Sequence, residues 1–189
     1  MKVEEVERRQ SLLEEEAIPL PELSEDSKIL ETPHIRKINA NLPARAVGYP
    51  WRMVYSTEKH GFSLKTIYRF MKHIDCPMLL VVKDTQHNIF GAYLSCALRI
   101  SEYFYGTGES LLFTFYPEFK TFHWTGENDF FTKGNAESVA FGAGEGLFGL
   151  WLDGDLYHGR TQHCLTYDND LLTTTEDFFV QAVEVFAFA

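Results

Sequence analysis

"ESVAFGAGEGLFGLWLDGDLYHGR", residues 137–160, decides the fold class. "ESVAFG" and "LFGLWLD" are short apolar runs on either side of a glycine-rich stretch, "AGEG", which predicts an antiparallel hairpin. Gly142, Gly144 and Gly146 are expected there as turn residues that take positive φ. They lack the following helix and the spacing of a phosphate or dinucleotide cradle. The second run is apolar at both parities, with Phe148, Leu150 and Leu152 on one and Leu147 and Trp151 on the other. Such a strand is covered on both faces. Directly after it, Asp153-Gly154 is a hairpin dipeptide, because the central residues of a type I′ turn take positive φ.

The same pattern extends outward in both directions. "MLLVVK" and "IFGAYLS" flank the polar turn "DTQHN", and "SLLFTFY" and "FKTFHW" flank Pro117-Glu118. "WRMVYS" and the terminal "DFFVQAVEVFAFA" also read as extended. This gives roughly nine or ten short strands with little helix among them. The expected fold is α+β, mainly β: two packed antiparallel sheets, a β-sandwich, with short flanking helices. The clearest helix starts near Ser63, where Leu64, Ile67, Tyr68 and Met71 fall at i, i+3, i+4 and i+7 and form one buried stripe. Lys65, Arg69 and Lys72 then lie on its outer side, the candidate surface for an acidic partner. A shorter helix is expected after Thr32 as cap, with Pro33 in its first turn and Ile35, Ile38 and Leu42 on one face.

Charge divides the chain. Residues 1–31 carry ten acids against four bases, while residues 32–189 carry seventeen acids against thirteen bases, within a net charge of −10. Residues 1–31 are expected to be an acidic, largely disordered leader with a transient helix at its start, and residues 32–189 the folded domain. Direct nucleic-acid binding is not expected, because phosphate neutralisation needs clustered Lys and Arg. No apolar run is long enough to cross a bilayer, and "MKVEEVERRQ" lacks the apolar stretch of a signal peptide, so an intracellular site is expected.

Asp153, Asp155 and His158 pose the main chemical question. They could be metal ligands, an acid/base pair or a polar turn, and the spacing favours the turn, with no metal and no cofactor. Neither a G-x-S-x-G elbow nor an H-E-x-x-H helix is present. Three cysteines without C-x-x-C spacing give neither a disulfide framework nor a zinc site. Cys164 is the redox candidate, since "HGRTQHC" supplies His158, Arg160 and His163, and positive neighbours raise a thiol's thiolate fraction. The alternative is a thiol that packs as a small apolar group.

"GYPWRMVYST", "GFSLKTIYR", "YGTGESLLFTF", "FHWTGENDFF", "FGLWLDGDLYHGR" and "EDFFVQAVEVFAF" resemble, in order and spacing, the TLDc domain of the oxidation-resistance group, over residues 33–189. The resemblance implies a two-sheet sandwich, protection against oxidative stress and binding to the vacuolar proton pump (V-ATPase). It implies a cytoplasmic protein recruited to organelle membranes through the pump, with nucleus and mitochondrion left open. No agreed reaction comes with the family. Two functions follow: a non-enzymatic interaction module that regulates the V-ATPase, or a weak thiol antioxidant that consumes peroxide at Cys164.

Overall fold

Apolar residues at both parities of a strand require a covered face on each side, and the computed structural model, which describes residues 2–189, supplies both. The strands are β1 (Trp51–Ser56), β2 (Met78–Asp84), β3 (Ile89–Leu94), β4 (Leu111–Thr114), β5 (Lys120–His123), β6 (Thr132–Gly134), β7 (Ser138–Gly144), β8 (Leu147–Asp153), β9 (His158–Arg160) and β10 (Asp177–Phe188). The helices are α1 (Lys2–Ala17), α2 (Thr32–Ala40), α3 (Thr57–His60) and α4 (Leu64–Met71). The protein is mainly β, with short flanking helices.

The ten strands pair antiparallel in one path, β5-β4-β3-β2-β10-β9-β8-β7-β6, with β1 on β10. Two separate sheets were expected, and the long β10 is why the pairing does not divide. Its first residues pair with β9 (Asp177 opposite Arg160), and from Val180 onward it pairs with β2. Its end also pairs with β1, Trp51 standing opposite Phe188. A register shift between Val180 and Ala182 marks the change of partner, as a bulge does where a strand bends.

Parity sorts the interior. Met78, Leu80 and Val82 of β2 join Val183 and Val185 of β10 in one apolar cluster, which also takes α4 and the β7–β8 hairpin. Leu79 and Val81 point the other way, with Trp51, Phe186 and Phe188, into a second cluster under α2. The two arms of the path share the first cluster: Phe90 of β3 packs edge-on against Phe178 of β10, ring centroids 4.9 Å apart.

Packing begins upstream of residue 32, where the leader was expected to end. Leu23 bridges to Trp51, and Ile29 and Leu30 are buried in the second cluster. The anchor is Glu184, a carboxylate only 2% exposed in the middle of β10. Ser27 Oγ–H and the N–H groups of Lys28 and Ile29 donate to it. A buried carboxylate without donors would be costly, so residues 27–29 and Glu184 stabilise each other's placement. Upstream, α1 is a regular helix of 16 residues that buries none of them. On α2 the cap is Glu31 rather than Thr32, its N–H bonding His34 Nδ1 at 3.0 Å, and Pro33 lies in the first turn as expected.

Candidate functional site

The β7–β8 hairpin closes through Glu145-Gly146, with φ of 56° and 77°, between the paired Gly144 and Leu147. Two successive left-handed residues are what a tight hairpin turn needs, and they place Glu145 in a backbone role. Gly144 has φ 146°. Gly142 sits within β7 at φ 77°, and a Cβ there would stand 2.7 Å from both Cys164 Sγ and the Tyr167 ring.

The β8–β9 connection turns on Asp153. Its carboxylate accepts the N–H of Tyr157 at 2.9 Å and that of His158 at 3.2 Å, while its carbonyl accepts the N–H of Leu156. The expected positive φ at Gly154 is corrected: the left-handed residue is Leu156, at 48°. The turn is longer than a two-residue type I′ loop, and the Asp153 side chain supplies the hydrogen bonds that close it. Gly154 is instead constrained by approach, since a Cβ would lie 3.2 Å from the Glu137 backbone.

Cys164 is 1% exposed. Its Sγ donates to Asn169 Oδ1 at 3.1 Å, and the same oxygen accepts the Cys164 N–H at 3.2 Å. Burial pushes the thiol above its ordinary pKa. The basic residues near it in sequence pair with carboxylates of their own. His158 Nε2 and Arg160 Nε both meet Asp177 Oδ1, at 2.9 and 3.0 Å, and His163 Nε2 meets Asp168 at 2.6 Å. The basic neighbourhood read from "HGRTQHC" is therefore not brought to the sulfur. Cys76 and Cys96 are half-buried, and burial raises both of these thiols as well.

On α4, Ser63 caps the first turn by accepting the Thr66 N–H at 3.3 Å. Leu64, Ile67, Tyr68 and Met71 are buried, which leaves Lys65, Arg69 and Lys72 exposed on the opposite side. Among the described residues none of these three cations has a carboxylate in salt-bridge contact. Lys72 also rims a recess of about 420 Å³, floored by Met71, Ile74 and Leu98 and bounded by Arg99 and Ile100. Arg99 is held in place by Tyr105: the Arg99 N–H donates to the Tyr105 hydroxyl at 2.8 Å, and its guanidinium lies over the ring, 4.5 Å from the centroid. Lys133 lies over Phe104 at 5.6 Å, on the face of β6 opposite to that of Gly134, where a Cβ would meet the Arg99 carbonyl and the Tyr68 hydroxyl. Arg99 and Ile100 escaped the sequence reading because they come from a further segment, which no periodicity links to α4.

Among the described residues no three His, Cys, Asp or Glu side chains are grouped to hold a metal ion, and no helix is long and apolar enough to cross a membrane.

Comparison with known proteins places these features in a family. The TLDc domain family matches residues 23–189. Oxidation resistance protein 1 of Xenopus tropicalis is 56% identical over 168 residues, covering 89% of this chain and 19% of that protein. The Homo sapiens protein of the same name is 54% identical over 168 residues, again 89% of this chain and 19% of that protein. Nuclear receptor coactivator 7 of Homo sapiens is 50% identical over 190 residues, 98% of this chain and 20% of that protein. The chain thus spans about a fifth of the length of these relatives. The match from residue 23 takes in the Leu23 bridge to Trp51.

Proposed function

We propose, from the premise that this chain belongs to the TLDc domain family, that it is a non-enzymatic interaction module of the oxidation-resistance type. In this reading it binds and regulates the V-ATPase, the partner that the family resemblance implies, and through the pump it protects cells against oxidative stress. It works on the cytoplasmic side of organelle membranes, recruited there by its partner. The observation that carries the reading is the outer face of α4: three exposed cations without carboxylate partners among the described residues, in a chain of net charge −10. An unpaired basic face costs a small like-charge repulsion, on the order of tenths of a kcal/mol per adjacent pair, which an acidic partner relieves. The residues that suggested chemistry are meanwhile committed elsewhere, Asp153 to a turn, His158 and His163 to carboxylates, and Cys164 to Asn169.

The test is affinity capture of the full chain from a lysate of cytosol and membranes, with partners identified by mass spectrometry. Pump subunits should be recovered with the wild type and depleted with Lys65→Glu/Arg69→Glu/Lys72→Glu. Capture that never enriches a pump subunit would remove the V-ATPase from the reading.

A further inference from the structure

The recess beside α4 joins three features that seldom share one place on an acidic protein. Its floor is apolar, and Ile100 at its edge is 59% exposed, with Tyr103 nearby in sequence at 76%. Its surroundings are cationic, with Lys72 and Arg99 in the lining and Arg69 one helical turn before Lys72. Asp75 is the single carboxylate in the lining. None of these three cations has a salt-bridge partner among the described residues, and Arg69 and Arg99 lie over aromatic rings. Exposed aliphatic and aromatic side chains ringed by polar groups, with an Arg held by a Tyr, have the composition of an interface centre.

We infer that this recess docks an acidic linear segment of a partner protein, which inserts one apolar side chain over Met71, Ile74 and Leu98 and lays flanking carboxylates against Lys72 and Arg99. Charge complementarity selects the occupant. A long polyanion or an anionic membrane would meet the field of the whole molecule, net −10, whereas a short segment feels mainly the cations within about one Debye length, roughly 8 Å. The apolar floor calls for a side chain that phosphates and sugars do not offer. The inference rests on the interaction-module reading above and adds the chemistry of the partner. It is tested on purified protein, so its failure is separate from failure to capture the pump.

"LLEEE", residues 12–16, has the required chemistry and supplies a probe. A fluorescent peptide with the sequence of residues 10–20 is titrated against the full chain by anisotropy across a salt series. Saturable binding is expected at low salt, weakening as salt rises, with Lys72→Glu/Arg99→Glu binding at least about tenfold more weakly. Ile100→Ser should weaken it without changing the salt dependence. Lys72→Gln/Arg99→Gln, checked for an unchanged melting curve, guards against a folding defect, and Arg45→Glu/Lys120→Glu, the same change of charge elsewhere, should bind normally. Absence of saturable binding, or an equal loss in the control pair, would overturn the inference. Binding to phosphatidylserine vesicles that is lost in the same variants, with none to peptide, would also overturn it. Salt-sensitive dimers in sedimentation, abolished by Lys72→Glu/Arg99→Glu, would support the site and identify the partner as a second copy.

Discussion

His158, Arg160 and His163 each meet a carboxylate, the first two sharing Asp177, whereas among the described residues Lys65, Arg69, Lys72 and Arg99 meet none. Both regions are exposed and carry similar residue types. In the first, strand register brings the acid: Asp177 of β10 stands directly opposite Arg160 of β9. In the second, α4 has no acid in its first turn and packs by its apolar stripe alone. The two regions show that nearness in sequence does not make an electrostatic site. Charges that the fold pairs hold the fold, and charges that it leaves unpaired remain for something outside it.

The largest effect should come from crowding the layer behind the paired region, around Cys164. Gly142→Val places a β-branched side chain at φ 77° and drives its Cβ onto Cys164 Sγ and the Tyr167 ring. A loss of about 2–4 kcal/mol is expected in denaturant unfolding. Gly154→Val, at a residue outside the left-handed region and facing only the Glu137 backbone, should cost about 1 kcal/mol. Equal losses would mean that the β8–β9 turn, and not the layer around Cys164, holds this end of the molecule together.

Much of this was legible in the sequence, for identifiable reasons. The α4 stripe was readable because its period is local, and the long strands because their apolar runs are bounded by turn residues. The short β6 and β9 were not, since three residues carry no pattern. Packing of residues 23–31 was hidden because the donors meet their acceptor, Glu184, more than 150 residues away. The single pairing path could not be foreseen either, because it depends on β10 exchanging partners along its length. In the candidate site the exposed cations of α4 were visible from helical spacing, while Arg99 reaches the recess only through the fold. Basic residues beside Cys164 in sequence misled for the converse reason: alternation along β9 and the turn after it aims them at Asp177 and Asp168.

A kinetic experiment sharpens the contrast at the thiols. All three cysteines are raised by burial, but only Cys164 is fully buried and hydrogen-bonded to Asn169. In native protein Cys76 and Cys96 should react first with iodoacetamide or peroxide, with Cys164 slower by about tenfold or more, the factor set by access. Time-resolved mass spectrometry of the peptides reads the order directly. Sulfenic acid at Cys164 ahead of the other two, with turnover supported by a recycling reductant and lost in Cys164→Ser, would restore the antioxidant reading.

The smallest effect concerns what pairing contributes to stability. The Arg160 side chain, and after it His158, hold the Asp177 carboxyl below its usual range. The folded state therefore favours the ionised form relative to the unfolded chain, where an Asp titrates near about 3.9. The stabilisation is present above that value and is lost as pH falls through the folded pKa. Asp177 is fully exposed, so solvent and salt screen the effect and it should be seen only at low ionic strength. The stability difference between wild type and Asp177→Asn should shrink as pH falls below about 4. Lys65→Gln/Arg69→Gln/Lys72→Gln should leave the acid limb where it is, because among the described residues these cations have no carboxylate in salt-bridge contact. If the triple variant moved the acid limb as much as Asp177→Asn does, α4 would have carboxylate partners in solution, and its cations would not be free for a partner.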